Sequence, residues 1–207
     1  MTSPLIFVHG WASNSTIWDP LIKALPDHDC HTIDLGFIKG GTTTWDSLQT
    51  PAIYIGHSLG VLWLLKNTPN AKAFISIAGF ANFTSFTDPR TLKVMQRGLS
   101  KNLETQITHF WRQAGYVRQT EPEALQADHL SEGLTWLETW DATAEKGGLI
   151  CPKLILASKA DKIVPPKATE QQWQDGAIHW HKTAPHMLPH IEPDWLAWQI
   201  NEFLDHL

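Results

Sequence analysis

The chain has 207 residues, 43% of them hydrophobic and 18% charged, with a formal charge of −5. That length suits one domain, or one domain carrying a small insertion, and roughly 70% of the unfolded chain's surface can be buried at this size. The charge argues against a general nucleic-acid binder, no apolar run reaches membrane-spanning length, and Met1-Thr2-Ser3-Pro4 lacks the basic segment of a signal peptide. Two cysteines, Cys30 and Cys151, show no metal spacing, so the expectation is a reduced, cytoplasmic, monomeric protein that uses neither metal nor cofactor.

Short apolar runs alternate with helical patterns, the rhythm of a mostly parallel α/β sheet covered on both faces. Leu5 to Val8 reads as the first buried strand, and Thr16 to Leu25 as a helix with Ile17, Leu21, Ile22 and Leu25 inward. His31 to Leu35 and Ala52 to Ile55 read as the next strands, and Leu59 to Asn67 as a helix. Ala73 to Ala78, Lys153 to Ser158 and Ala177 to Trp180 complete the strands. Asp194 to His206 reads as a closing helix, capped by Asp194 and carrying Leu196, Ile200, Phe203 and Leu204 at helical spacing.

Between the fourth and fifth strands the rhythm stops. Residues 84–146 read as helices throughout, a cap inserted into a core formed by residues 1–83 and 147–207. Asp88 N-caps the first of these helices with Pro89 at its first position, Gly98 is expected to end it, and Ser100 to open the next, with Leu103, Ile107, Phe110 and Trp111 inward.

The sharpest chemical signal is Gly56-His57-Ser58-Leu59-Gly60, a G-x-S-x-G motif with a buried strand before it and an apolar helix after it. That context puts a serine on a tight strand-to-helix turn, with its hydroxyl projecting above the sheet, and small residues two before and two after let the turn close. A serine needs a base, and the base of this architecture lies in the loop after the last strand. His186 fits, in Thr183-Ala184-Pro185-His186-Met187, with His190 the alternative four residues on. The acid that orients the imidazole is expected in the loop leaving the fifth strand, where Asp161 stands, with Asp34 and Asp88 as fallbacks. Backbone donors for an oxyanion are expected from Leu59, just after the serine, and from Trp11 in Val8-His9-Gly10-Trp11.

With these segments in view the chain resembles the α/β-hydrolase family along essentially its whole length. Within that family it is most similar to the esterases that cleave the methyl ester of pimeloyl-acyl-carrier-protein in biotin synthesis. The similarity lies in His9-Gly10-Trp11, the elbow at 56–60, Leu99-Ser100 leading to Phe110, Asp161-Lys162-Ile163-Val164-Pro165 and, within the cap, Gly133-Leu134-Thr135-Trp136-Leu137-Glu138-Thr139-Trp140-Asp141. The resemblance implies a four-helix cap holding an acyl chain, with Phe110 and Trp111 against the substrate beside Trp11 and Leu59, and basic cap residues docking an acidic carrier protein. The residues agree in part. From Arg90 to Arg118 the cap carries Arg90, Lys93, Arg97, Lys101, Arg112 and Arg118 against Glu104 alone, and Arg90, Lys93 and Arg97 share a helical face. Such a stripe suits steering of an acidic partner, and suits a solvated helix face as well. Three features depart from the family pattern: its N-terminal hairpin has no counterpart before Leu5, the segment between Asp34 and Ala52 is short, and Asp34-Leu35-Gly36-Phe37 lacks the usual proline.

The expected activity is therefore carboxylic-ester hydrolysis by Ser58, His186 and Asp161. Three alternatives stand beside the carrier-linked ester: a general short-acyl esterase, a thioesterase or amidase on the same side chains, and a non-catalytic binding protein on a hydrolase fold.

Overall fold

A computed structural model describes residues 3–45, 51–67, 70–116, 122–174 and 176–207. Six strands form one sheet: β1 (Leu5–Val8), β2 (Cys30–Ile33), β3 (Ala52–His57), β4 (Ala71–Ile77), β5 (Lys153–Ser158) and β6 (Ile178–His181). Their order is β2-β1-β3-β4-β5-β6, and each neighbouring pair is parallel. All six lie where the apolar runs placed them, to within two residues at each end.

Side chains divide by parity along the strands. Leu5, Phe7, Ile53, Ile55 and Ile75 pack on one face against Leu21 of α1 (Asp19–Lys23), Leu188 of α8 (Leu188–Ile191), and Leu196 and Ile200 of α9 (Pro193–Leu204). Ile6, Val8, Tyr54, Phe74 and Ile155 pack on the other, against Leu62 and Leu65 of α2 (Leu59–Asn67) and Ala168 of α7 (Pro166–Gln172). Burial on both faces is why these strands read as continuous apolar runs rather than as alternating ones.

The cap follows β4. It contains α3 (Pro89–Lys101), α4 (Leu103–Gln113), α5 (Ala127–Thr139) and α6 (Thr143–Gly147). Leu92, Ile107, Leu130 and Leu134 continue the same apolar cluster that covers the second face of the sheet. Cap and sheet therefore share one core.

Four boundaries differ from the sequence expectations, each for a local reason. The helix expected over 16–25 is a 3-10 turn, Ser15–Trp18, followed by α1. Pro20 has no N–H to continue a helix and sits instead in its first turn. Helix α3 does not stop at Gly98 but runs to Lys101. Asn102, extended at φ −159°, ends it, and the Asn102 side chain accepts from the Thr105 N–H to start α4. Ser100 thus lies in the last turn of α3, where its hydroxyl donates to the Gln96 carbonyl. Helix α9 opens on Pro193 with Glu192 before it, which leaves Asp194 in the first turn rather than at the cap.

The β2 edge is covered by the chain itself. The Thr32 N–H donates to Thr44 Oγ1 at 3.0 Å, and the Thr44 N–H donates back to the Thr32 carbonyl at 2.8 Å. The Asp34 N–H donates to Thr43 Oγ1 at 3.0 Å, and the rings of His31 and Trp45 pack 5.0 Å apart. A segment laid along an edge in this way occupies groups that would otherwise template pairing with another strand.

Candidate active site

The turn between β3 and α2 is a single residue, Ser58. Its φ is +54°, a left-handed conformation that costs a non-glycine residue about 1–3 kcal/mol. The surroundings impose it. The Ser58 N–H donates to the Ile77 carbonyl at 3.0 Å, and its own carbonyl accepts from the Val61 N–H at 3.0 Å. The flanking glycines are steric necessities. A Cβ at Gly56 would lie 2.7 Å from the Val61 nitrogen, and one at Gly60 would lie 2.2 Å from the Val8 carbonyl oxygen. Strand β1 and helix α2 approach so closely there that only hydrogen fits.

His186 lies past the end of β6, and its Nδ1 is 2.7 Å from Asp161 Oδ2. Both residues are buried. Asp161 is fixed through its other oxygen, Oδ1, which accepts from the N–H groups of Ile163 at 2.7 Å and Val164 at 2.9 Å. An ionised carboxylate facing Nδ1 makes that nitrogen the proton-bearing one, so Nε2 presents its lone pair. Nε2 is buried and makes no hydrogen bond among the described residues. The alternatives lie elsewhere. His190 is exposed, with its ring against Tyr116. Asp88 is exposed and forked to Arg90. Asp34 accepts from the Ser15 and Gly36 amides and organises the loop around His9.

Trp11 and Leu59 meet at the serine. Leu59 opens α2, so its N–H has no acceptor within the helix. Gly10 lets the Trp11 loop close on the elbow, since a Cβ there would stand 3.0 Å from the Ser58 Cβ. That loop is braced by His9, whose Nε2 accepts from the Leu35 N–H at 2.8 Å and whose Nδ1–H donates to the Gly10 carbonyl at 2.9 Å.

Above the serine lies a cavity of about 300 Å³. Its floor and walls include Ser58, Trp11, Leu59, Phe80, Phe83 and Phe110. The cap contributes Leu92, Met95 and Leu137, while Thr87, Thr91, Gln113 and Lys162 supply polar atoms. Trp11 and Phe110 meet edge to face with centroids 4.8 Å apart. Trp111 is not among the lining residues, contrary to the expectation that it faces substrate. Its indole N–H donates to the Ala12 carbonyl at 2.8 Å, which ties the cap to the Trp11 loop. The spacing that turned Phe110 and Trp111 inward could not separate a cavity wall from a latch. The basic stripe is also modified: Lys93 and Arg97 are exposed on α3, but the Arg90 guanidinium is engaged by Asp88, which it holds below the usual carboxylate range. Arg118 lies outside the described residues.

Two groups of site residues escaped the sequence reading. Phe80, Phe83, Leu92, Met95 and Leu137 look like ordinary core residues at helical or linker spacing, and no local signal marks a cavity wall. His57 was passed over as the variable position of the motif. It is wholly buried, and its Nε2–H donates to the His186 carbonyl at 3.0 Å. Burial, then the proximity of His186 and His9, pushes its pKa well below the ordinary histidine value.

Comparison with known proteins identifies the family and the fold. A model described as the alpha/beta hydrolase family matches residues 5–199. The pimeloyl-[acyl-carrier protein] methyl ester esterase of Shewanella oneidensis is 26% identical, with 81% of this chain and 77% of that protein covered. The enzyme of the same name from Proteus mirabilis is 29% identical over 79% and 76%. Among solved structures, an esterase from Exiguobacterium antarcticum superposes with a TM-score of 0.76 at 13% identity, covering 98% of this chain and 92% of that one. A thermophilic esterase from Thermogutta terrifontis gives 0.74 at 17%, covering 100% and 90%.

Proposed function

The chain belongs to the α/β hydrolase family, and from that premise we propose that it is a serine carboxylesterase in which Ser58, His186 and Asp161 act together. The observation that carries this reading is the buried His186–Asp161 hydrogen bond of 2.7 Å, adjoining an elbow whose serine opens into an apolar cavity. Ser58 Oγ attacks the ester carbonyl and passes its proton to His186 Nε2. The Leu59 and Trp11 N–H groups receive the oxyanion. His186 then protonates the departing alkoxide, which leaves as alcohol, and an acyl-serine remains. Water, deprotonated by the same imidazole, attacks the acyl-serine and releases the acid. Asp161 stays ionised throughout and stabilises the transient imidazolium.

A fluorophosphonate probe should label Ser58, and Ser58→Ala should lose hydrolysis of a short p-nitrophenyl ester by at least about 10⁴-fold while remaining folded. Undiminished hydrolysis by a folded Ser58→Ala protein would reject the reading.

For the substrate we propose the methyl ester of a carrier-bound pimeloyl chain. The names of the relatives and the apolar cavity support it, as do the exposed cations of α3, Lys93 and Arg97 with Arg90 beside them. Neutralising these three should lower kcat/KM for the carrier-linked ester about tenfold or more relative to the free methyl ester, with the loss steepest at low salt. The protein should also restore biotin-independent growth to a strain lacking that esterase, and failure despite good expression would count against the assignment. One observation favours a general short-acyl esterase instead: the Arg90 guanidinium already has an intramolecular carboxylate partner. An equal effect of the neutralised stripe on free and carrier-linked esters would decide for that reading.

A further inference from the structure

The loop that carries His186 is held from two sides. From the end of β5 comes Ser158, whose hydroxyl donates to the Ala184 carbonyl and accepts from the Ala160 N–H, and from the loop after it comes Asp161, on the imidazole. From β3 comes His57, the residue directly before the serine. A carbonyl can only accept, so the 3.0 Å contact between His57 Nε2 and the His186 carbonyl fixes the proton on Nε2. The opposite nitrogen, Nδ1, is buried and makes no hydrogen bond among the described residues. The two rings lie 4.8 Å apart, and the edge of the Trp18 ring closes the far side at 6.4 Å.

We propose that His57 is a positioning residue, whose Nε2–H locks the backbone of the base to the elbow of the nucleophile so that Ser58 and His186 move as one unit. This rests on the esterase reading above. Ser158 and Asp161 register the loop against the end of β5, and Ala184, Met187 and Leu188 pack it into the apolar cluster that holds Ile53 and Ile55 of β3, but no directed bond from these groups reaches β3. His57 supplies that missing constraint through a covalent neighbour of Ser58. The constraint matters because proton transfer from a serine hydroxyl needs hydrogen-bond reach, and displacements near 1 Å can cost about 10²-fold in rate.

The tether also works best uncharged. The imidazolium that forms on His186 during catalysis would be opposed by a second positive ring 4.8 Å away. Burial disfavours a charge on His57, as do the neighbouring His186 and, from β1, His9. The residue therefore donates a hydrogen bond without adding a cation beside the base.

Two variants and one measurement test this. The Nε2 of glutamine reaches about as far as that of histidine, so His57→Gln should keep the donor and His57→Leu should remove it. With rates normalised to sites titrated by a fluorophosphonate, His57→Leu should lose about 10- to 100-fold in kcat, with KM changed less than threefold. His57→Gln should recover most of that loss. A merely structural role would reduce the number of titratable sites and the melting temperature, but not the rate per site. A folded His57→Leu with wild-type kcat per site, or His57→Gln no better than His57→Leu, would overturn the proposal. Should His57→Leu fail to fold, ¹⁵N-histidine spectra of the unmodified protein still decide: a His57 protonated on Nδ1 rather than Nε2 refutes the tether. An unaltered rate in Ser58→Ala would instead sink the esterase reading itself, so the two failures are distinguishable.

Discussion

The rim of the sheet and the cap above it are built by different rules. At the rim, position is forced by backbone geometry. Ser58 sits where β3 meets α2, and Gly56 and Gly60 stand where any Cβ would collide with main-chain atoms. Asp161 is pinned by two amides of its own loop. The cap is positioned by apolar packing and by ties to the core from both backbone and side chains, among them the Gln126 N–H to the Phe37 carbonyl at 3.0 Å and the Lys39 N–H to the Ala124 carbonyl at 2.8 Å. Leu92, Leu99 and Ile107 are apolar contacts with no directional preference, and two of the directional ties are indole N–H groups exchanged across the boundary. Trp11 of the core donates to the Leu130 carbonyl in the cap, and Trp111 of the cap donates to the Ala12 carbonyl in the core, each at 2.8 Å. At the rim a few atoms are fixed by steric necessity, whereas the wall that the cap gives the cavity consists largely of apolar contacts, which tolerate changes of shape better than main-chain collisions do. On the esterase reading proposed above, the rim would carry the chemistry and the cap would supply much of the wall that meets the substrate.

This contrast predicts a graded set of effects. The largest belongs to the rim. Asp161→Asn should cut kcat by about 10⁴-fold with little change in melting temperature, because the side chain keeps its shape and loses the charge and tautomer control; a tenfold loss or less would mean that Asp161 does not serve the base. Gly60→Ala forces a methyl group to within 2.2 Å of the Val8 carbonyl oxygen and should destabilise by about 4 kcal/mol or more, read as failure to accumulate folded protein or a collapsed denaturation midpoint. Trp111→Phe removes a latch and strands a buried carbonyl. It should cost about 1–3 kcal/mol, seen as a lower melting temperature and faster amide exchange in the cap, while hydrolysis of a very short ester persists.

Acid sensitivity probes the boundary between rim and loop. His57 has its folded pKa below the ordinary 6.5. Below about pH 6.5 the unfolded chain therefore binds more protons than the folded one, and stability must fall as the pH falls from there toward the depressed folded value. The stability is fully present above that window. Melting temperatures between pH 8 and 5 should show this slope, flattened in His57→Gln. The smallest effect is at the outer cap, where Asp88→Ala removes the N-cap of α3 (its Oδ1 accepts from the Arg90 N–H at 2.8 Å) and should lower the chemical denaturation midpoint slightly. It also frees the Arg90 guanidinium, so the same variant should raise, not lower, the salt dependence of activity on any carrier-linked ester.

How much of this was legible in advance follows from the same distinction. The six strands were readable because a sheet buried on both faces demands unbroken apolar runs, and the elbow because its glycines are required by local geometry. The pairing of His186 with Asp161 followed from chain order and strand ends, and Asp34, Asp88 and His190 were real competitors by composition alone. The helix boundaries slipped where two signals competed. Gly98 looked like a stop, but the side-chain hydrogen bond of Asn102 four residues later sets the end, and Pro193 pre-empted Asp194 as the start of α9.

What the amino-acid order determined, then, was the set of features whose local signals do not compete: strand periodicity, the G-x-S-x-G turn, the Asp88-Pro89 helix start. The folded arrangement alone decided which apolar residues wall the cavity, that Phe110 faces it while its neighbour Trp111 latches the cap, and that His57 reaches the His186 carbonyl. These depend on distances between segments up to 129 residues apart. Burial free energy is nearly indifferent to which apolar partner is met, and a hydrogen bond is specific only after packing has brought donor and acceptor within reach.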